Sequence, residues 1–185
     1  MANALSKRYA GIVNCITTPV KLTNPFTGVT LDTEGIWDTG ATNSVITQST
    51  ANTLNLKPHT RATVAGVHGP KEVNVYYVEI TLNNDQITLR TEVTECEELR
   101  ANHSVGMLIG MNIISMGDFC ITNFNGKTVM SFIHPSQKDV DFVRDIKEYN
   151  RIMKMHEIWI KRGIKKCPCG SGKTFENCHG KMIYK

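Results

Sequence analysis

Apolar and polar residues alternate in short runs through most of the chain. Gly11–Thr17 and Val29–Trp37 are rich in β-branched and apolar residues, with the turn sequence Asn24-Pro25-Phe26-Thr27-Gly28 between them. Val73–Leu82 and Ile87–Val93 flank Asn83-Asn84-Asp85, which reads as a hairpin tip. Phe119–Phe124 and Thr128–Ile133 flank Asn125-Gly126. Short β-rich runs bounded by Gly, Pro, Asn and Asp read as strands. Asn-Gly favours a type I′ hairpin because both central residues need positive φ. Residues 1–135 are therefore expected to be all-β. The period then changes. Val143, Ile146, Tyr149, Met153, His156 and Ile160 recur near helical spacing,. Ser136 with Asp139 resembles a capping box and Gly163 a helix stop. The spacing predicts one α-helix over Lys138–Arg162, inside a helical linker of residues 136–164. Its methionine and aromatic stripe reads as packing. Residues 165–185 form a separate cysteine-containing segment.

The 185-residue chain is long enough for a real core, and 41% hydrophobic with 21% charged residues is an ordinary globular composition,. No apolar run reaches membrane-spanning length, so no membrane association is expected. The first residues lack a long apolar core, and the expected compartment is the cytoplasm. The formal charge of +4 is unevenly spread. From residue 138 onward there are 12 Lys+Arg against 6 Asp+Glu, and the remainder has 9 against 11. A basic tail of this kind reads first as a solvated helix face rather than a nucleic-acid surface. It also leaves contact with a ribosome or an acidic protein open.

One triplet changes the functional picture. Asp38-Thr39-Gly40-Ala41 follows the apolar pair Ile36-Trp37, which reads as a buried strand holding a tight turn. Val64-Ala65-Gly66-Val67-His68-Gly69-Pro70 is a glycine-containing tip between strand-like runs, and Leu108-Ile109-Gly110 ends an apolar run broken by glycine. Ser44 and Ser104 have no accompanying base, so serine hydrolysis is not supported.

These features resemble the retropepsin family, the single-domain aspartic proteases of retroviral type, over approximately residues 10–133. The resemblance implies a retropepsin-like closed β-barrel, an acid-protease fold, and an aspartic endopeptidase that hydrolyses peptide bonds in a protein or peptide substrate. It implies Asp38 as the catalytic carboxylate, with Thr39, Gly40 and Ala41 in the active-site loop. Gly66, Val67, His68 and Gly69 map to the flap over the substrate, and Leu108, Ile109 and Gly110 to the wall of the substrate pocket. Only one triplet is present, so the resemblance implies a homodimer in which two copies of Asp38 share one proton. Like charges a few ångströms apart cannot both ionise cheaply, and this shared proton lets one carboxyl activate water while the other protonates the carbonyl. Retroviral members often carry Arg then Asp or Asn after the second glycine. Met111-Asn112 stands here, and it removes a polar link. Ala41 supplies no hydroxyl to the carboxylates, which implies activity nearer neutral pH than in the gastric type. The competing reading is a non-catalytic dimeric adaptor or peptide-binding module.

The chain closes with Cys167-Pro-Cys169-Gly-Ser-Gly-Lys-Thr-Phe-Glu-Asn-Cys178-His179. Two thiolates one residue apart, then an adjacent Cys and His, supply four ligands that suit tetrahedral Zn²⁺. A segment this small has almost no core, so ligation would be its folding energy. Four protein ligands leave no open position, which makes the site structural. Gly-Ser-Gly-Lys-Thr lacks the first glycine and the preceding strand of a phosphate loop. The segment resembles the SEC-C motif, a zinc-binding tail appended to many bacterial proteins, with Cys167, Cys169, Cys178 and His179 at its ligand positions. That resemblance implies recruitment of a protein partner or a ribosome through the tail.

Overall fold

A computed structural model describes residues 1–66, 69–82, 86–99 and 104–181. The backbone divides into two compact units, Met1–Lys138 and Asp139–Lys185.

Among the described residues the first unit holds ten strands: β1 (Asn3–Arg8), β2 (Ile16–Thr23), β3 (Thr30–Trp37), β4 (Val45–Thr47), β5 (Thr60–Gly66), β6 (Gly69–Leu82), β7 (Thr88–Cys96), β8 (Val105–Ile109), β9 (Asp118–Thr122) and β10 (Val129–His134). Six of them run in the order β2-β3-β8-β4-β7-β6, and β6 returns to pair with β2 through Val20↔Leu82 to Thr23↔Glu79. The sheet thus closes into a six-stranded barrel, which leaves no free edge among those strands. Period-two patterning fills it. Ile16, Thr18, Val20 and Leu22 of β2 point inward, as do Tyr76, Val78, Ile80 and Leu82 of β6. A smaller sheet in the order β1-β10-β9 adds Leu5, Met130 and Phe132 to the same core.

β6 is long because its two halves have different partners. From Val75 it pairs with β7, whereas Gly69–Asn74 pairs with β5 alone. The β5–β6 arm is therefore a two-stranded ribbon, and its ladder runs out to Gly66↔Gly69. Val67 and His68, expected at the flap tip, lie outside the described residues, as does the Asn83-Asn84-Asp85 tip. β3 and β8 run parallel in register Trp37↔Ile109, so both strands deliver their C-terminal ends to one side of the barrel.

Several expectations shift. β2 begins at Ile16 rather than Gly11, because Gly11–Cys15 is tied to Thr128: Thr128 N–H donates to Gly11 O at 3.1 Å and Val13 N–H to the Thr128 hydroxyl at 3.1 Å. Asn125 (φ 52°) and Gly126 (φ 71°) take the expected positive φ, but inside a short 3₁₀ turn between β9 and β10 rather than a two-residue hairpin. The barrel unit is not all-β, since α1 (Gln48–Thr53) starts from the hydroxyl of Thr47, which accepts Thr50 N–H at 3.1 Å. A second short helix, α2 (Met111–Ile114), follows Gly110 directly.

In the second unit, α3 (Phe142–Lys161) begins four residues later than Lys138. Asp141 caps it, with its carboxylate accepting Val143 and Arg144 N–H at 3.0 Å each. Ser136 does not cap the helix, because its hydroxyl is spent on Asp118 in the barrel unit. Tyr149 and Ile152 are the buried side chains of α3, while Val143 and Ile160 are exposed. The intended stripe is thus rotated toward Ile152. Beyond Gly163 the chain turns into a compact knuckle in which Lys166 bridges to Thr174 and Cys167 N–H donates to Lys173 O at 2.8 Å.

Candidate functional site

Two strand ends build the first site. Trp37 closes β3 and is buried: its indole N–H donates to the Thr18 hydroxyl at 2.9 Å, and its ring stacks on Phe119 at 5.2 Å and tilts against Phe132 at 5.1 Å. That anchor sets the direction in which the chain leaves the barrel. Asp38 follows at once, with its N–H donating to Ile109 O of β8 at 3.0 Å. Its carboxylate Oδ1 accepts Gly40 N–H at 2.8 Å, which folds the turn back on itself. Asp38 and Ala41 are half-buried, and Thr39 and Gly40 are exposed.

The loop then crosses β8 at Gly110. A Cβ there would lie 2.5 Å from Asn43 O and 2.9 Å from Ala41 O, so only glycine allows the crossing,. Met111 and Asn112 N–H donate to Ala41 O at 2.8 Å and Thr42 O at 3.0 Å. Asn112 Oδ1 accepts both the N–H and the hydroxyl of Ser44, at 2.8 and 2.7 Å, and the same hydroxyl accepts Gly110 N–H at 3.0 Å. Ser44 is fully buried. The Met111-Asn112 pair thus keeps a polar link to the loop, carried by an amide rather than a guanidinium. In the sequence, Ser44 reads only as a nucleophile without a base and Asn112 only as a departure from the family pattern. Their role as a brace had no signal in the sequence, since the two are 68 residues apart.

Leu108, Ile109 and Gly110 share a strand but not a face. Ile109 is fully buried in the barrel core beside Trp37, Gly110 lies under the loop, and Leu108 is half-exposed. Leu108 pairs with Ile36 on β3 and with Val45 on β4, so these three half-buried side chains form a row across three strands, flanking the start of the Asp38 loop. Gly66 and Gly69 end the β5–β6 arm.

The second site is local. The ligand atoms of Cys167, Cys169, Cys178 and His179 all lie within 4.8 Å of one another. Cys169 and Cys178 Sγ are 3.6 Å apart, and His179 Nδ1 is 3.3 Å from the sulfurs of both Cys167 and Cys178. Metal–sulfur bonds of ~2.3 Å at tetrahedral angles place sulfurs roughly 3.8 Å apart, so the donor set fits a tetrahedral metal ion. Gly170 (φ 81°) and Gly172 (φ 74°) supply the left-handed turns that fold the first pair onto the second,. The hydroxyl and N–H of Ser171 draw the Cys169 thiol down to about 6, toward the thiolate that binds metal, while burial pushes Cys167 up,.

Both segments fall within matches to known families. The family described as aspartyl protease matches residues 25–113, and the SEC-C motif matches residues 165–181. No curated protein matches the chain. Among solved structures, a retropepsin-like aspartic protease from Rickettsia conorii is 10% identical, covering 72% of this chain and 95% of its own, with a TM-score of 0.45. The retroviral protease-like domain of Ddi1 from Leishmania major is 19% identical, covering 59% and 82%, with a TM-score of 0.40. The Simian Foamy Virus (mac) protease is 17% identical, covering 54% and 91%, with a TM-score of 0.38. Among the described residues no helix is long and apolar enough to cross a membrane. Residues 25–113, which include Asp38, thus match the aspartyl protease family, and residues 165–181 match the SEC-C motif and carry a three-cysteine, one-histidine cluster that can hold a metal ion.

Proposed function

We propose that the protein is an aspartic endopeptidase that acts as a homodimer, with zinc holding its tail. The observation that carries this reading is the setting of Asp38. A half-buried carboxylate stands at the start of a loop fixed to β8 on one side and to Asn112 on the other, with Thr39 and Gly40 exposed beside it. One chain supplies half of the chemistry. A symmetry mate would bring a second Asp38 through an isologous contact. Thr39 of each copy would then bond across the pair.

The reaction follows from the shared proton. The ionised carboxylate takes a proton from water as the water oxygen bonds to the peptide carbonyl carbon, and the other carboxyl gives its proton to the carbonyl oxygen. The tetrahedral diol then collapses. Its hydroxyl returns a proton through a carboxylate to the amide nitrogen, the C–N bond breaks, and an acid and an amine leave. The β5–β6 arm, whose ladder ends at Gly66↔Gly69, would close over an extended peptide and exclude water,. A two-stranded ribbon is only marginally stable by itself, which suits a moving part. The row Ile36, Leu108 and Val45 supports apolar side chains near the cut.

In the tail, three sulfurs and one imidazole favour zinc, and four protein ligands make the ion structural. Bound there, it would supply the cross-link that folds the knuckle. The tail would recruit a protein partner. The deciding experiment compares wild type with Asp38→Asn on a proteome-derived peptide library, with sedimentation to follow assembly. Cleavage lost roughly 10²–10⁴-fold with an intact dimer is the expected result. Unchanged cleavage, or a wild type that cuts as a monomer at every concentration, overturns the reading. Absence of cleavage by both would favour the adaptor.

A further inference from the structure

The second unit holds a groove that neither the Asp38 chemistry nor the metal cluster uses. It has a volume of about 400 Å³, within the ~300–1,000 Å³ range of sites that take a small ligand or a few side chains,. Its lining includes His156, Ile160, Ile164, Lys165, Phe175 and Glu176. The floor is aromatic: the His156 and Phe175 rings stack with centroids 3.5 Å apart and planes 10° apart. The walls are tied by backbone. Ile164 N–H donates to Trp159 O at 2.9 Å after the left-handed turn at Gly163, and Phe175 N–H donates to Lys165 O at 3.3 Å. Ile160 is 59% exposed and Ile164 38% exposed, so two aliphatic side chains stand in water beside this floor.

Charge says what would cover them. From His156 to Glu176 the chain carries Lys161, Arg162, Lys165, Lys166 and Lys173 against Glu157 and Glu176, the latter in the groove's own lining, so bases outnumber acids five to two. An apolar groove beside a run of five bases is complementary to an apolar anchor flanked by carboxylates. The surroundings disfavour nucleic acid. Single-stranded nucleic acid is bound largely by stacking on free aromatic faces, and a face of Phe175 is already occupied by His156,.

We propose that this groove docks an acidic peptide segment of a partner protein, seating an aliphatic or aromatic side chain between Ile160 and Ile164 while carboxylates pair with Lys165 and its basic neighbours. The docking is independent of the Asp38 reading and survives if the barrel cuts nothing.

The test uses full-length, metal-loaded protein and fluorescein-labelled peptides of about twelve residues in anisotropy titrations. One peptide is Asp/Glu-rich with a central Leu-Phe pair. A second replaces that pair with Ser-Ser, a third replaces the acids with Asn and Gln, and oligouridylate of equal length is the fourth probe. The first peptide should bind, with affinity falling as salt rises, and each altered peptide should bind at least about tenfold more weakly. Ile164→Asp and Lys165→Glu should each weaken the first peptide by about tenfold with metal content unchanged. If Ile164→Asp loses its metal, Lys165→Glu alone decides. No binding of the first peptide at millimolar concentration, equal binding of the Ser-Ser peptide, or tighter binding of oligouridylate would each overturn the proposal.

Discussion

The barrel and the knuckle are held together by different physics. In the barrel, Leu22, Ile46, Val78, Ile80, Leu82, Met107, Ile109 and Phe132 are withdrawn from water and made to interlock by a closed sheet. The Asp38 site is a by-product of that closure, since it exists only where two parallel strands end side by side. In the knuckle, Cys167 is buried, and the other three members of the cluster that can hold a metal ion lie within the next twelve residues. A core spreads its stabilisation over many residues and tolerates single losses. A four-ligand cluster concentrates it on one ion, where losing one ligand loses nearly everything.

The sharpest way to break this comparison is to take away the metal that the cluster is proposed to hold. A structural zinc contributes on the order of 10 kcal/mol to so small a fold. Chelation, or Cys178→Ser, should unfold the knuckle while the barrel keeps its melting transition. Proton NMR shows both at once, through loss of the residue 165–181 dispersion with the upfield core methyls unchanged. A barrel that melts with the knuckle would show that the two are one cooperative unit.

The barrel has its own weak point at Trp37, which the stack with Phe119 and the bond to Thr18 make a wedge between the two sheets. Trp37→Ala should cost ~3–5 kcal/mol, as large-to-small core changes do. Denaturant unfolding followed by far-ultraviolet circular dichroism measures it. A loss below about 1 kcal/mol would mean that the strand before Asp38 is held by something else.

The same contrast decides what could be read from the chain. The knuckle was legible because every ligand lies within thirteen residues and the glycines that fold it lie between them. The turn at Asp38-Thr39-Gly40 was legible for the same reason, as was the two-residue period of β3 and β6. Closure of β2 onto β6 was not, since it rests on Val20 finding Leu82. β1, with its mixed sequence Asn-Ala-Leu-Ser-Lys-Arg, is a strand because β10 offers it a partner, not because of its own propensity,. The start of α3 was misplaced because Ser136, Asp139 and Asp141 are all plausible caps within six residues. Tertiary context chose, by giving Ser136 to Asp118.

A smaller effect separates the site from the fold that carries it. Asn112 accepts two bonds from Ser44, and Asn112→Ala leaves the buried Ser44 N–H and hydroxyl without that acceptor. The stability loss should be about 1–3 kcal/mol, the cost of an unpaired buried polar group. If the Asp38 loop depends on this brace, any peptide cleavage should fall further than the fraction unfolded explains. Asn112→Asp, which keeps an acceptor oxygen at the Oδ1 position, should recover most of it. Equal loss in the two variants would show that the amide matters for more than accepting those bonds.

The smallest expected effect lies where the barrel unit ends. The Asp118 carboxylate accepts Gln137 N–H at 2.6 Å, Lys138 N–H at 3.1 Å and the Ser136 hydroxyl, pinning the chain just after β10. These donors, Gln137 first, hold its carboxyl below the ordinary aspartate value,. A depressed folded-state value means the unfolded chain takes up the proton first. The contribution is therefore full at neutral pH, begins to fade near the ordinary value of about 3.9, and is gone once the pH has fallen through the lower folded value. The group is exposed, so solvent screening keeps the effect small. Asp118→Asn should lower the urea midpoint slightly at pH 7, and the gap to wild type should narrow steadily below about pH 4. A gap that stays constant into acid would mean that the shape of the side chain, rather than its charge, holds Ser136–Lys138 in place.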